Sequence, residues 1–408
     1  MMQPYKGVRD FYPEDQRVQR HIFTTMRDVV ERFGYEEINA SVLEPTELYL
    51  AKTSEEIVND ESYTFEDRGG RSVTLRPEMT PTVARMVANR KRELPYPLRW
   101  YSLPNLFRYQ RPQHGRLREH WQLNADIFGV DGDEADIEIV TIAHTLLREF
   151  GASNDDFEIR VSDRRFLDAL YDSLSISVSI RKDVTRLLDK KDKQDITTQL
   201  AELLDSDEVA KALLSRLDNP DIFPSLQTFV ETLRTRGIAN AVVDTGITRG
   251  FDYYTGVVFE VYDTNRKNTR SIFGGGRYDN LVQQYGNEPV PACGFGMGDV
   301  TTRDFLETHD LLPTLPSSAM LYIAPATHNN TESMHSAVTK LREHGLNVAV
   351  GMKHTKIADH IKAASKLAIP FFAVWGENEE TSQTLTVKNL ITGEENTSSV
   401  ESVADSLR

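Results

Sequence analysis

The sequence has almost no cysteine and no long apolar segment. Among 408 residues Cys293 is the single cysteine, so neither an internal disulfide nor a zinc site built from several cysteines can form. No run of about 18 apolar residues occurs, which excludes a membrane-spanning helix. Residues 1–15 lack the apolar core and the small-residue cleavage site of a secretory signal. These absences predict a cytoplasmic protein that does not attach to a membrane.

Metal-binding motifs and positive net charge are also missing. The ten histidines show no metal-ligand spacing such as HExxH, so we assign no metal site. The net charge of −15 argues against a general affinity for nucleic acids. Residues 85–118 depart from this balance, because they contain nine lysines and arginines and one acid, Glu93. Such a segment can bind phosphate groups, and a solvated basic surface is the alternative interpretation.

The apolar pattern divides the chain into five segments. Residues 1–164 and 239–307 combine amphipathic helices with short strands, which predicts a discontinuous α+β domain with an antiparallel sheet flanked by helices. Residues 165–238 are polar and helical, and we interpret them as a helical insertion in that domain. Residues 308–318 contain two prolines and predict a linker. Residues 319–408 alternate strands with helices, which predicts a compact α/β domain.

Local patterns predict the first elements of the sheet domain. An apolar stripe over residues 18–33 predicts an amphipathic helix that ends before Gly34. Residues 35–45 predict a strand. Thr80 and Pro81 are typical of an N-cap and a first turn, so we expect Thr80 to cap a helix that continues to about residue 92.

Arginines flank a loop between two predicted strands in residues 104–129. Arg108 follows the first strand, and Arg116 and Arg118 lead into the second. A guanidinium group binds phosphate oxygens through a planar fork of donors and does not lose its charge near neutral pH. Arginines at both stems of a hairpin can therefore hold a polyphosphate from two sides.

Polar residues near this hairpin suit an amino-acid ligand. Glu78 and Thr80 end a neighbouring strand, and a carboxylate beside a hydroxyl is suited to an α-ammonium group. Gln122 and Asp126 lie on one face of the return strand, where both can hydrogen-bond a polar ligand. An arginine-rich pocket without a Ser-His-Asp or Cys-His set fits chemistry that needs orientation and charge neutralisation more than proton transfer.

Four peptides, "TLRPEMT", "FRYQRPQHGRLREHWQ", "RGFDYYTG" and "GGGRYDNLV", resemble in order and spacing the histidyl-tRNA synthetase family of class II aminoacyl-tRNA synthetases. The resemblance covers essentially the whole chain. It implies a ligase that activates L-histidine with ATP and Mg²⁺ to histidyl-adenylate and transfers it to tRNA(His), releasing AMP and pyrophosphate. It also implies a class II sheet with a helical insertion, a C-terminal anticodon-binding domain, and a homodimer formed through the first helix and the strand ending at Pro45.

The resemblance implies a role for each residue that matches the family motifs. Arg108 and Arg249 would be catalytic, with Arg249 bridging the histidine carboxylate and the α-phosphate. Arg249 and Tyr254 are an odd number of residues apart, so a straight strand would point their side chains to opposite faces. A turn among neighbouring glycines must therefore place both in one pocket. Histidine would contact Glu78, Thr80, Gln122, Asp126, Tyr253 and Tyr254, ATP would contact Arg108, Gln110, Arg116, His120 and Arg249, and the tRNA acceptor end would contact Gln113 and Arg118.

Three positions depart from the family pattern. Gln110 stands where a glutamate is usual, and His120 stands where a phenylalanine stacks on adenine. Thr301 occupies the place of the arginine that ends the last class II motif, and Arg303 follows two residues later. These departures leave open which residues surround the adenine and the γ-phosphate.

Two other functions compete with the ligase. The regulatory subunit of ATP phosphoribosyltransferase resembles this family and senses histidine, but it forms no adenylate, usually lacks the C-terminal domain and loses arginines of the set. This chain retains residues 319–408 together with Arg108, Arg116 and Arg249, which favours the enzyme. A synthetase for another amino acid would require "RGFDYYTG" to lose its role in recognising imidazole.

Overall fold

The computed structural model describes residues 2–50, 61–111, 115–188, 191, 194–217, 223–247, 253–265, 267–268, 270–286, 288–353 and 355–407. The chain forms two compact units, Met1–Leu312 and Pro313–Arg408. Arg249 and Gln113, which the family motifs assign to the site, lie outside the described residues.

The strands of the first unit belong to two sheets. In chain order they are β1 (Glu36–Glu37), β2 (Leu43–Pro45), β3 (Tyr63–Glu66), β4 (Ser72–Leu75), β5 (Leu98–Ser102), β6 (Asn105–Phe107), β7 (Glu119–Phe128), β8 (Phe157–Asp163), β9 (Ala241–Val243), β10 (Val257–Asp263), β11 (Ser271–Arg277) and β12 (Ala292–Gly298). The main sheet has the order β1-β5-β7-β12-β11-β10-β8-β9, and β6 pairs with β7 beside it. Its pairs are antiparallel except for β1–β5 and β8–β9. Strands β2, β4 and β3 form the small sheet.

The described helices of the first unit are α1 (Pro13–Arg32), α2 (Glu47–Leu50), α3 (Thr80–Arg90), α4 (Asp133–Glu149), α5 (Arg164–Ser173), α6 (Val178–Leu188), α7 (Thr197–Leu204), α8 (Asp207–Leu217), α9 (Pro224–Thr235) and α10 (Asp299–Thr308). Helix α1 begins with a proline and two acids, and Gly34 follows it at φ +79°. Its stripe of Ile22, Met26, Val29 and Val30 is buried in the core against the main sheet. The stripe is therefore covered by the chain itself and gives no argument for a second subunit.

The segment predicted as a helical insertion divides between two cores. Helices α5 to α8 enclose a small core of their own that includes Leu170, Leu200 and Leu213. Helix α9 instead places Phe229 and Leu233 in the core of the main sheet. The last helix of the segment therefore packs with the sheet domain, because its apolar side chains are buried in that domain's core.

The structure differs from the sequence analysis at two places. Residues 271–277, whose glycines carry no strand pattern, form β11 in the middle of the main sheet between β10 and β12. Thr80 is the first residue of α3, and Met79 occupies the N-cap position without a side-chain cap. The Thr80 side chain instead hydrogen-bonds Tyr253.

The second unit is an α/β domain with one sheet. Its strands are β13 (Leu321–Pro325), β14 (Val348–Val350), β15 (Phe371–Trp375), β16 (Thr384–Asn389) and β17 (Glu395–Ser399), in the order β14-β13-β15-β16-β17. Helices α11 (Thr331–Glu343), α12 (Ile357–Lys366), α13 (Glu377–Ser382) and α14 (Val400–Ser406) accompany them. In the described part of the chain, no helix is both long and apolar enough to cross a membrane.

Candidate active site

A cavity of about 710 Å³ lies against the central strands of the main sheet. Strands β7, β10, β11 and β12 supply its floor, and the start of α3, the loop after β6 and the start of α10 supply its walls. Seven residues that the family motifs assign to the site line this cavity: Glu78, Thr80, Arg108, Arg116, Gln122, Tyr253 and Tyr254. The fold thus brings together residues from four separate stretches of sequence.

Glycines on β12 leave room for polar side chains from β7. Gly294 pairs with Asp126, and Gly296 pairs with Asn124. A Cβ atom at Gly294 would lie 2.2 Å from Asp126 Oδ1, and one at Gly296 would lie 2.1 Å from Gln122 Nε2. Any larger residue at these positions would displace the two side chains. The glycines therefore leave space for the Gln122 amide and the Asp126 carboxylate to extend from β7 over β12.

A cluster of tyrosines and acids forms one end of the cavity. The Tyr253 hydroxyl donates to Glu78 Oε2 at 3.1 Å, and Glu78 is 2% exposed. The rings of Tyr253 and Tyr254 meet edge to face at 5.1 Å. Burial, reinforced by the Glu78 charge, raises the pKa of both tyrosines, so both remain neutral donors. This end offers a buried carboxylate and hydroxyl groups to a cationic ligand.

Asp126 lies beneath this end of the cavity and does not line it. It is 3% exposed and accepts a short hydrogen bond from the Tyr278 hydroxyl. Burial raises the pKa of Asp126 to about 7, although the Tyr278 hydrogen bond acts in the opposite direction. Tyr278 itself lines the cavity, so its hydroxyl links Asp126 to the cavity wall.

The raised pKa of Asp126 predicts a pH dependence of stability. Between the unfolded value near 4 and about 7, the folded chain retains a proton that the unfolded chain has released. The contribution of Asp126 to the free energy of unfolding should therefore fall as pH rises through this range, by up to about 1.4 kcal/mol per pH unit, and become constant above it. Urea unfolding of wild type and Asp126→Asn at pH 5 to 8 measures it, and a pH-independent difference between the two would contradict the prediction.

Arginines form the other end of the cavity. Arg108 donates from Nε to the carbonyl oxygen of Pro77 at 2.9 Å, directly before Glu78 in sequence. Arg116 donates from Nη1 to Gln110 Oε1 at 3.3 Å. Other basic residues of segment 85–118 pair with carboxylates: Arg85 with Glu44, Arg90 with Glu93, Lys91 with Glu288 and Arg99 with Glu138. The segment therefore supplies two guanidinium groups to the cavity, and these four other basic residues pair with carboxylates outside it.

Three further residues assigned by the motifs lie beside the cavity. Gln110 holds Arg116, as described above. His120 lies near Arg108 and Arg9, and burial together with these two cations lowers its pKa to about 3. Arg118 stacks at 4.3 Å over the ring of Tyr109 and donates to the Tyr5 hydroxyl at 2.8 Å. None of the three lines the cavity.

The start of α10 shows what occupies the position of the missing arginine. Thr301 lines the cavity, and its hydroxyl donates to the carbonyl oxygen of Ile272 at 2.6 Å. Arg303 pairs with Asp15 at 3.0 Å and with Glu307 at 2.7 Å, and it does not line the cavity. Arg303 therefore does not take the place of the missing arginine.

Sequence reasoning missed several lining residues, which lie mostly on the hairpin between β10 and β11. The missed residues include Glu260, Tyr262, Lys267, Asn268, Arg270 and Tyr278. The glycine run of β11 could have revealed the hairpin, because glycines that follow a clear strand can continue a sheet where side chains cross above them.

Two family matches cover most of the chain. Residues 7–299 match the family described as histidyl-tRNA synthetase, and residues 321–408 match the family described as anticodon binding domain. The fold and the cavity are thus those of an aminoacyl-tRNA synthetase, with a catalytic domain followed by an anticodon-binding domain.

Similar proteins agree with these matches. Histidine–tRNA ligase from Leptospira biflexa is 41% identical over 95% of this chain and 92% of its own length. The ligase from Haloarcula marismortui is 35% identical over 97% of this chain and 95% of its own length. The chain belongs to the histidyl-tRNA synthetase family.

A solved structure supports the fold class. The histidyl-tRNA synthetase of Nostoc sp. PCC 7120 superposes with a TM-score of 0.80 at 23% identity, covering 100% of this chain and 99% of that chain. At this identity the likeness concerns the fold alone, and it confirms the predicted class II α+β architecture.

Proposed function

We propose that the cavity activates histidine with ATP and then transfers the histidyl group to tRNA(His). The observation that carries this proposal is the polarity of one cavity: a buried carboxylate with tyrosine hydroxyls at one end, and guanidinium groups at the other. The ammonium group of an amino acid can thus bind at the first end and the phosphates of a nucleotide at the second, so that the carboxylate and the α-phosphate lie next to each other. The competing regulatory function is not favoured, because residues 321–408 match an anticodon-binding domain and the curated relatives are ligases.

The first step joins the histidine carboxylate to the α-phosphate. A carboxylate oxygen attacks the α-phosphorus, a carboxyl–phosphate bond forms, the bond to the bridging oxygen breaks, and pyrophosphate leaves. Glu78, Thr80 and Tyr253 would hold the ammonium group, and Arg108 would neutralise charge at the α-phosphate. Arg249, which lies outside the described residues, would bridge carboxylate and phosphate.

The second step moves the histidyl group to the tRNA. A hydroxyl of the terminal ribose attacks the adenylate carbonyl carbon and gives its proton to the departing phosphate, the ester bond forms, the bond between the carbonyl carbon and the phosphate oxygen breaks, and AMP leaves with that electron pair. Gln113 and Arg118 would guide the acceptor end, and the second unit would bind the anticodon. A cytoplasmic location is part of this proposal, because ribosomes consume charged tRNA there.

Mg²⁺ would enter with ATP. In the described residues, no group of three or more His, Cys, Asp or Glu side chains is arranged to hold a metal ion. Magnesium commonly binds through substrate phosphates and water with only one or two carboxylates, and Glu260 and Asp304 in the cavity wall can supply these.

Histidine-dependent exchange between pyrophosphate and ATP tests the proposal. Purified protein with Mg²⁺ should catalyse exchange with histidine and with none of the other nineteen amino acids. Charging of tRNA(His) should follow under the same conditions. Histidine binding without exchange would overturn the proposal and favour a regulatory role.

A second copy of this chain would cover the outer face of the small sheet. Cross-strand pairs place Leu43, Tyr63 and Leu75 on one face, together with Pro45, Val73 and Phe65. Leu43 and Phe65 are 46% and 47% exposed. An apolar sheet face of this kind favours a homodimer, in agreement with the role the resemblance gives to the strand ending at Pro45.

Charge on this face should separate the subunits. We expect the Leu43→Glu/Phe65→Glu variant to sediment as a monomer at concentrations where wild type is a dimer, because two carboxylates would be buried unpaired. Ile391→Glu, at an 80% exposed apolar residue of the second unit, is the control and should sediment as wild type. A dimeric double variant, or a monomeric wild type, would contradict this interface.

A further inference from the structure

The hairpin between β10 and β11 lies at the arginine end of the cavity. The first residues of β11 and the last residues of β12 are paired, and Gly298 at the end of β12 pairs with Gln122 at the start of β7. Arg116 precedes β7, and α10 follows β12 directly. Lys267, Asn268 and Arg270, the described residues Gly115 and Arg116, and the start of α10 therefore meet at one edge of the main sheet.

Arg270 and Lys267 give this edge a positive charge that no family motif assigns. Both line the cavity together with Arg116, Thr301 and Asp304. Three cationic side chains therefore lie in this part of the wall with two carboxylates, Asp304 and Glu260, and Glu260 accepts a hydrogen bond from Ser271, the residue after Arg270. The tyrosine end, by contrast, offers Glu78, so the cavity is electrostatically polar along its length.

Thr301 joins α10 to the strand that begins beside Arg270. Its hydroxyl donates to the carbonyl oxygens of Ile272 at 2.6 Å and Gly298 at 3.3 Å. Ile272 is two residues beyond Arg270. The side chain at position 301 on α10 therefore fixes the helix to β11. Two arginines line this part of the cavity wall: Arg116 follows Gly115, which lies against Thr301, and Arg270 directly precedes β11.

We propose that Arg270 binds the β- and γ-phosphates of ATP opposite Arg116, and so does the work expected of an arginine at position 301. This proposal rests on the proposed function, and it assigns the phosphate tail of the same site. The α-phosphate must lie near the histidine carboxylate, between Arg108 and the tyrosine end. The tail then extends toward the edge, where Arg116, Lys267 and Arg270 stand. A planar guanidinium binds two phosphate oxygens at once, which Lys267 cannot do.

Calorimetric titration of the full chain with MgATP and with AMP tests this assignment, and it does not depend on catalysis. Arg270→Ala should weaken MgATP binding about 10- to 100-fold and leave AMP binding unchanged, because AMP lacks the β- and γ-phosphates. Arg270→Lys should recover only part of the loss. Arg303→Ala, which removes a nearby arginine outside the cavity, should bind MgATP as wild type does.

Measuring histidine binding distinguishes a failure of this proposal from a failure of the proposed function on which it rests. Histidine affinity and melting temperature should be the same in Arg270→Ala and wild type. Unchanged MgATP affinity in Arg270→Ala would overturn the assignment, and so would an equal loss for MgATP and AMP or a simultaneous loss of histidine binding. A wild-type protein that binds MgATP and histidine but catalyses no exchange would instead refute the proposed function. The assignment of Arg270 would then still be decided by the MgATP and AMP titrations.

Discussion

Arg108→Ala should lower kcat/KM for histidine-dependent exchange by about 10² to 10³, mostly through kcat. Charge that develops at the α-phosphate in the transition state would lose a fixed guanidinium, and the loss of one such group typically has this magnitude. Arg108 also donates to the Pro77 carbonyl oxygen at 2.9 Å, and Glu78 follows in sequence. The substitution would therefore loosen the end of the cavity that holds Glu78 while it removes charge from the arginine end.

Two companion variants separate these contributions. Arg108→Lys keeps the charge but cannot bind the Pro77 carbonyl and a phosphate through one rigid fork, so we expect it to recover little activity. Arg111→Ala removes an exposed arginine of the same loop that does not line the cavity, and exchange should be unchanged. If Arg108→Ala exchanged at the wild-type rate, Arg108 would have no role in adenylate formation.

Gly296→Ala should reduce kcat/KM for histidine about 100-fold or more. The added methyl group would lie 2.1 Å from Gln122 Nε2, so the amide must leave its place above β12. Overpacking of this kind costs about 1–3 kcal/mol, and the displaced amide can no longer meet the ammonium group. We expect the effect to fall on KM for histidine rather than on KM for ATP, which steady-state exchange kinetics would resolve.

Gly298→Ala is the matched control on the same face of the same strand. A Cβ atom there would lie 3.6 Å from Thr301 Oγ1, which is an ordinary contact. Its exchange kinetics should stay within a few-fold of wild type. Equal losses in both variants would mean that the glycine face of β12 tolerates no side chain, and that the crossing of Gln122 above Gly296 does not set histidine affinity.

Much of the fold could be predicted because apolar periodicity reports burial. The stripe of α1 and the alternating strands β7 and β10 carry that signal. Strand β11 does not, because Gly274, Gly275 and Gly276 have no side chains from which a pattern could be recognised. The composition of helix α9 resembles that of its neighbours and predicts that it belongs to the insertion, whereas its side chains pack in the main core.

The site residues that lie in family motifs could be predicted from the sequence, and those outside the motifs could not. Glu78, Arg108 and Tyr253 carry motif signals and line the cavity. Arg270 lies on a hairpin with no motif signal, and only the pairing of β11 with β12 brings it to the cavity edge. The assignment of Asp126 as a direct ligand stays a prediction, since Tyr278 lies between it and the cavity. Arg249 and Gln113 likewise remain predictions.

The crossing of β7 side chains above the glycines of β12 bears on how amino-acid specificity can evolve. Gln122 and Asp126 occupy the volume that side chains at Gly296 and Gly294 would need. A substitution on either strand alone produces a clash or a void, so the two strands can change only through paired substitutions whose effects are strongly non-additive. In the proposed site, a change of the recognised amino acid would have to pass through poorly functioning intermediates, and this barrier would help to preserve the identity of the amino acid that is attached to the tRNA.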